Sequence, residues 1–309
     1  MRVLVTGASG FLGRHLVRHL AARSCTVLAV TRTPLAGETG TPIAWQRIGH
    51  LDGQTDWSPW LRGMDAVVHL AGVAHRANEA SAAYTAELER VNVQGTVRLH
   101  AQCGLCGVGH FIFVSSLAAV TSRSLGRIDD ATPSAPTTPY GHSKWRAEQA
   151  LISARSVGGA DYTILRPPLI YGAGNPANMA RLVHLVRSGL PLPFGSLCNQ
   201  RSFMFVGNLC DAIYHCLHAS AARNQTFFVS DNRDLSTPEL IRLIAQAGGW
   251  PCRLVPFPTP ILEALARLNP DGSIAKLVGS LYLDVSPIKA ALAWLPPFTV
   301  ESGLRETLA

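Results

Sequence analysis

The sequence predicts an α/β chain organised as a doubly wound parallel sheet, with a smaller C-terminal region interleaved with it. Three observations carry this. Short β-branched runs alternate with amphipathic stretches through the first half, a glycine-rich turn joins the first such pair, and the alternation gives way to proline-punctuated segments after residue 168. Parallel strands covered by helices on both faces read as continuous apolar runs, as these do. With 309 residues, 47% hydrophobic and 15% charged, the chain can bury a large core and is not of disordered composition. No apolar run approaches the roughly 18 residues that span a bilayer.

The elements follow in order. "RVLVTG" is the first strand and "FLGRHLVRHLAAR" the first helix, "TVLAVTR" and "DAVVHLAG" are strands, "VNVQGTVRLHAQC" is a helix and "HFIFVSS" a strand. A helix from about Tyr140 to Val157 leads to "DYTILRPPLIYG", a sixth strand ended by Pro167 and Pro168, which cannot donate to a ladder. Beyond it, Pro191, Pro193, Pro251, Pro256, Pro258 and Pro260 break the rhythm, and Ser236 with Glu239 caps one further helix. "TFFVSD", 226–231, returns a buried strand to the sheet.

"MRVLVTGASG" runs from Met straight into a strand, without the apolar stretch and cleavage site of a secretory signal. Seven scattered cysteines, an odd number, argue for reduced thiols, and the two together predict a cytoplasmic protein. Cys103-x-x-Cys106 has no second Cys/His pair at ligand spacing, so no metal is expected. The net charge of +7 is spread along the chain and suits anionic nucleotides. No basic run interleaved with aromatics points to nucleic acid.

Gly7, Gly10 and Gly13 stand between the first strand and the first helix. Gly7 suits a tight turn, Gly10 the approach of backbone to a pyrophosphate, and Gly13 close packing of helix on strand. This is the dinucleotide-binding arrangement of a Rossmann-type sheet, with the pyrophosphate on the helix N-terminus. NAD-selective sites present a carboxylate at the end of the second strand. Here that strand ends "VLAVTRTP", with no acid before Glu38 and with Arg32 where a 2′-phosphate would lie, so NADP is favoured and NAD is the alternative. Tyr140 and Lys144, at i and i+4, share one helix face. A nearby ammonium, together with the cationic ring of an oxidised nicotinamide cofactor, lowers a phenol toward working pH and makes it a general acid/base.

TGxxGxxG followed by Tyr-x-x-x-Lys, with "HLAG", "FVSS", "PYGHSK", "LRPPLIYG" and "RSFMFVGNLCDAI", resembles the extended short-chain dehydrogenase/reductases that act on sugar nucleotides, over essentially the whole chain. "RPPLIYG", "GLPLPFG" and "DLSTPELI" look like a bacterial UDP-glucose 4-epimerase-like branch. That branch includes reductases forming UDP-N-acetylquinovosamine. The resemblance implies Ser116, Tyr140 and Lys144 as catalytic residues, with Ser115 the neighbouring alternative to Ser116. It adds Ser9, Phe11, Leu12, Leu51, Leu70, Ala71, Gly72, Asn92 and Pro167 to the cofactor site, and Ser115, Asn178 and Arg201 to the substrate site. His50 stands where the family has an adenine-binding Asp, so either His50 or Asp52 takes that contact.

The 4,6-dehydratases of this family place Asp-Glu after the strand-five hydroxyl. Here Leu117 and Ala118 follow, and neither exchanges a proton. Dehydration is thereby disfavoured, and the resemblance implies an NADP(H)-dependent ketoreductase acting at C4 of a UDP-4-keto-6-deoxy-N-acetylhexosamine in O-antigen synthesis. A UDP-hexose 4-epimerase is the alternative. A redox-silent dinucleotide-binding regulator is the alternative from another class, and it would not need both Tyr140 and Lys144. Residues 1–168, with 203–232 returning, are expected to bind the dinucleotide and 169–309 mainly the substrate. Family analogy suggests a homodimer through the helices near Asn92 and Tyr140.

Overall fold

The apolar runs become strands in the computed structural model, which describes residues 1–32, 42–74, 81–123, 126–155, 159–175, 178–268 and 273–309, without the side chains of Asn178 and Ser273. The first unit is β1 (Arg2–Thr6), α1 (Phe11–Ala22), β2 (Thr26–Thr31) and β3 (Ile43–Arg47). The short α2 (Ser58–Leu61) leads to β4 (Ala66–His69). Next, α3 (Ala82–Leu88) runs through a π-helical stretch, Glu89–Gln94, into α4 (Gly95–Leu105), and β5 (His110–Val114) follows. A 3₁₀ turn at Leu117–Ala119 precedes β6 (Gly126–Ile128), α5 (Pro139–Arg155), β7 (Asp161–Arg166) and β8 (Leu169–Tyr171). The remainder comprises α6 (Asn178–Arg187), β9 (Arg201–Phe205), α7 (Val206–His218), β10 (Gln225–Phe228), β11 (Asp234–Leu235), α8 (Thr237–Gly248), α9 (Thr259–Leu268), α10 (Ser273–Val278), β12 (Leu281–Leu283), α11 (Ser286–Leu292) and α12 (Val300–Leu308).

Seven strands form one parallel sheet in the order β10-β7-β5-β4-β1-β2-β3. Val3, Leu4, Val5, Val67, Val68, Phe111, Ile112, Ile164 and Leu165 are buried along it, which explains why these strands read as unbroken apolar runs. One face is covered by Leu16, Val17 and Leu20 of α1 with Leu209 and Ile213 of α7. The other is covered by Leu88, Leu99 and Leu151 of α3, α4 and α5. Strand order reverses between β1 and β4, and in an open α/β sheet the ligand crevice lies outside the carboxyl ends of the strands at that point.

A second sheet, in the order β11-β9-β12-β6 with β8 also paired to β9, lies beyond β7 in sequence except for β6. Its strands are two to five residues long, and β6 finds its partner β12 about 155 residues away. Such pairing leaves little local signal. The capping box predicted at α8 is present, with the Ser236 side chain bonded to the Glu239 N–H and the Glu239 carboxylate to the Ser236 N–H. The helix predicted from Tyr140 is described to Arg155, and Val157 falls outside the described residues. Among the described residues no helix is long and apolar enough to cross a membrane.

Candidate active site

The glycine turn is built as its spacing predicts. Gly7 has φ +67°, and a Cβ there would lie 2.7 Å from the Ala71 nitrogen in the loop after β4. A Cβ on Gly13 would lie 2.2 Å from the Gly7 carbonyl, so glycine lets α1 sit directly on the turn. Helix α1 starts at Gly10 with no side-chain cap and no acid in its first turn, among the described residues. Its first N–H groups are thus left for a ligand, which fits the pyrophosphate of a dinucleotide. Ser9, Phe11 and Leu12 are half-buried around this turn.

At the end of β2, Thr31 is buried and its hydroxyl donates to Ser9 Oγ at 2.7 Å. It fills the place where NAD-selective chains carry a carboxylate, and sequence reasoning passed over it. Arg32 is exposed beside it, and Glu38 lies outside the described residues. If Arg32 holds a 2′-phosphate, Arg32→Ala should weaken NADPH binding by about 1.5–3 kcal/mol, typical of a charged hydrogen bond, with little change for NADH. Fluorescence titration of both nucleotides reads this, and equal losses would exclude the role.

Across the crevice, Leu51 is buried and His50 exposed. The Asp52 carboxylate is committed locally: it accepts from the Gln54 N–H at 3.0 Å and the Thr55 hydroxyl at 3.2 Å, and faces Arg90 at 3.6 Å. Those contacts, the Gln54 N–H first, hold it below the usual carboxylate range. After β4, the Leu70 and Ala71 N–H groups donate to Thr6 Oγ1 at 3.2 and 3.3 Å. A Cβ on Gly72 would meet Asn92 Oδ1 at 3.0 Å, and Lys144 Nζ stands 3.8 Å from the same point.

Asn92, on the π-helical stretch, is buried and clasps Val73 by accepting from its N–H at 2.7 Å and donating to its carbonyl at 3.0 Å. It also donates to Ser143 Oγ at 3.0 Å, so one side chain ties the loop after β4 to α5. Single π-turns recur where a side chain must be re-aimed at a functional site. Lys144, one turn along α5 from Tyr140, is buried. Its ammonium donates to the Val114 carbonyl at 3.0 Å and lies 4.5 Å from the Phe113 ring centre. Burial lowers it to about 8, with Glu148 opposing the shift.

Tyr140 is hydrogen-bonded to Ser116, and burial pushes its phenol up to about 12 despite that bond. The Lys144 ammonium is directed to the Val114 carbonyl and the Phe113 face. Ser116 starts the 3₁₀ turn, with Oγ accepting from the Ala118 N–H at 3.1 Å. The neighbouring Ser115 hydroxyl is buried and has no hydrogen-bond partner among the described residues. Gly141 was not anticipated. A Cβ there would stand 2.3 Å from the Ala118 carbonyl, so its absence lets α5 bring Tyr140 to Ser116. Leu117 and Ala118 are buried, and the Leu117 N–H donates to the carbonyl of buried Pro167 at 2.9 Å.

Arg201, at the start of β9, is half-buried and donates to the Gly279 carbonyl at 3.0 Å. Burial lowers its guanidinium to about 10, and no carboxylate is paired with it among the described residues. A desolvated cation without a counter-charge suits an anionic ligand. Asn178 is the first residue of α6, and its side chain lies outside the described set.

Comparison with known proteins matches residues 3–229 to the NAD dependent epimerase/dehydratase family. A Vibrio cholerae UDP-glucose 4-epimerase is 34% identical over 310 residues, covering 99% of this chain and 94% of the relative. An N-acetyl-alpha-D-glucosaminyl-diphospho-ditrans,octacis-undecaprenol 4-epimerase of Escherichia coli O157:H7 is 28% identical, with 99% and 94% covered. Among solved structures, MoeE5 in complex with UDP-glucuronic acid and NAD superimposes with a TM-score of 0.77 at 25% identity, covering 100% of this chain and 98% of the other. The glycine turn, the Ser116–Tyr140–Lys144 constellation and these likenesses agree, and the chain belongs to the NAD-dependent epimerase/dehydratase family of extended short-chain dehydrogenase/reductases.

Proposed function

We propose that this enzyme reduces C4 of a UDP-4-keto-6-deoxy-N-acetylhexosamine with NADPH, in the synthesis of bacterial surface polysaccharide. The observation that carries hydride transfer at C4 is Tyr140 bonded to Ser116, with a buried Lys144 one helical turn away, at the carboxyl edge of the sheet that also holds the open α1 N-terminus, and the preference for reduction rests on the family resemblance. A bound nicotinamide supplies the hydride. Tyr140, neutral at working pH, gives its proton to the oxygen on C4, Ser116 holds that oxygen by its hydroxyl, and the Lys144 charge stabilises the phenolate left behind. The Arg201 guanidinium, with no carboxylate against it among the described residues, suits the diphosphate. Thr31 and Arg32 at the end of β2 support NADP over NAD. In this reading residues 1–168 with 203–232 hold the cofactor and 169–309 mainly the sugar.

A second reading, a UDP-hexose 4-epimerase, is favoured by the likeness to the Vibrio cholerae enzyme. It uses the same three residues but returns the hydride to the opposite face. Incubation with UDP-4-keto-6-deoxy-N-acetylglucosamine separates the two. The reductase consumes one NADPH per product, seen as stoichiometric loss of the reduced-nicotinamide absorbance. No consumption, together with interconversion of UDP-glucose and UDP-galactose or of their N-acetyl counterparts, would establish the epimerase instead.

A further inference from the structure

Glu148 is fully buried one helical turn beyond Lys144 on α5, and sequence reasoning gave it no role. Its carboxylate accepts from Arg166, the last residue of β7, through a forked contact of 2.6 and 3.2 Å to Oε2 and 3.2 Å to Oε1. The guanidinium in turn lies 5.4 Å from the Phe228 ring centre on β10. A buried ion pair is a weak source of stability, because desolvating two charges offsets their attraction. Its placement argues for another use. Residues at i and i+4 are neighbours on a helix face, so Tyr140, Lys144 and Glu148 form one row. Among the described residues Lys144 makes one hydrogen bond, to the neutral Val114 carbonyl.

We propose that the Glu148–Arg166 pair is the positioning element for the Lys144 charge: Glu148 is the buried counter-charge one turn along α5 from the ammonium, and Arg166 fixes Glu148 in place through its forked contact. The inference rests on the reading of Tyr140 and Lys144 as the catalytic pair. Among the described residues, Glu148 on α5 and His69 on β4 are the titratable groups that interact electrostatically with Lys144, Tyr140 precedes it by one turn of α5, and Arg166 on β7 pairs with Glu148. His69 is buried between Thr6 and Thr96, its Nδ1 2.7 Å from Thr6 Oγ1 and its Nε2 3.0 Å from Thr96 Oγ1. Thr96 spends its own proton on the Asn92 carbonyl, so His69 Nε2 must carry the donor and Nδ1 the lone pair. Burial, with the Lys144 charge adding to it, keeps this ring neutral down to about pH 3. That leaves Glu148 as the counter-charge along this row, and its field opposes the loss of the Lys144 proton.

The sign of the test follows. Removing a carboxylate disfavours the ammonium and favours the phenolate, so the alkaline fall of kcat/KM moves to lower pH. With NADPH and UDP-4-keto-6-deoxy-N-acetylglucosamine, Glu148→Gln should move that limb down by about one pH unit, while Glu148→Asp should leave it close to wild type. A merely structural role would instead lower kcat/KM by one factor at every pH with the limb in place, and that result overturns the proposal. If Glu148→Gln does not fold, judged by circular dichroism and NADPH binding, the doubly neutral Glu148→Gln/Arg166→Gln variant is read. It should show a smaller shift of the same sign, and an unmoved limb again overturns the proposal. Full activity in Tyr140→Phe and Lys144→Met would defeat the underlying catalytic reading. Inactivity in those two variants with an unmoved Glu148→Gln limb would defeat this inference alone.

Discussion

Tyr140→Phe should bind NADPH as the unchanged chain does and turn over about 100- to 10,000-fold more slowly, the range general acid/base catalysis contributes. The substitution removes one oxygen from a ring that packs beneath the α3–α5 layer, so the fold keeps its apolar contact. What it loses is the phenolic proton, carried on a side chain bonded to Ser116. The raised phenol makes the direction of the effect specific. A neutral donor suits reduction, whereas oxidation needs the phenolate and must draw that stabilisation from Lys144 and the bound, oxidised cofactor. Ser116→Ala should lower turnover less, because the oxygen on C4 keeps the Tyr140 donor. Ser115→Ala should have hardly any effect, since its hydroxyl is bonded to nothing described. Turnover of Tyr140→Phe within tenfold of wild type would remove the phenol from the chemistry.

What the sequence could disclose of this site depended on how local each requirement was. The first strands were legible because burial on both faces forces continuous apolar runs, and the glycine turn because three close approaches demand three missing side chains at fixed spacing. Tyr140 and Lys144 were legible because one helix turn brings them together. Gly141 was not, because its reason is the position of the Ala118 carbonyl, which belongs to a different element. Thr31 and Glu148 read as an ordinary strand end and an ordinary helical carboxylate until Ser9 and Arg166 are seen against them. The strands of the second sheet are too short to carry a period, and their partners are fixed by the fold around them. The phenol of Tyr140 shows the same boundary: the spacing gave a nearby charge, and only the packing showed that burial raises the phenol.

The second large effect is expected at Gly13. Helix propensity alone argues that replacing a glycine three residues into α1 should stabilise the helix, by roughly 1 kcal/mol for alanine. Packing argues the reverse. Any Cβ there meets the Gly7 carbonyl at 2.2 Å and the Ala8 Cα at 2.7 Å, both backbone atoms of the turn and neither able to rotate away. Relief requires α1 to move off the turn by about 1 Å, and overpacking of that kind costs about 1–3 kcal/mol or more. For alanine the two contributions leave a modest net loss. For valine, propensity falls as well and two further carbons enter the same space, so Gly13→Val should lose about 3 kcal/mol. Cofactor binding should suffer as well, because the N–H groups that would face the pyrophosphate ride on the displaced helix. A loss of at least about 100-fold in NADPH affinity, near 2.7 kcal/mol, is expected for Gly13→Val. Gly109→Ala is the control, since a Cβ there makes only ordinary contact at 3.7 Å with the Asp65 carbonyl. Equal thermal stability and equal NADPH affinity for the two variants would mean that α1 does not rest on the turn as this geometry requires.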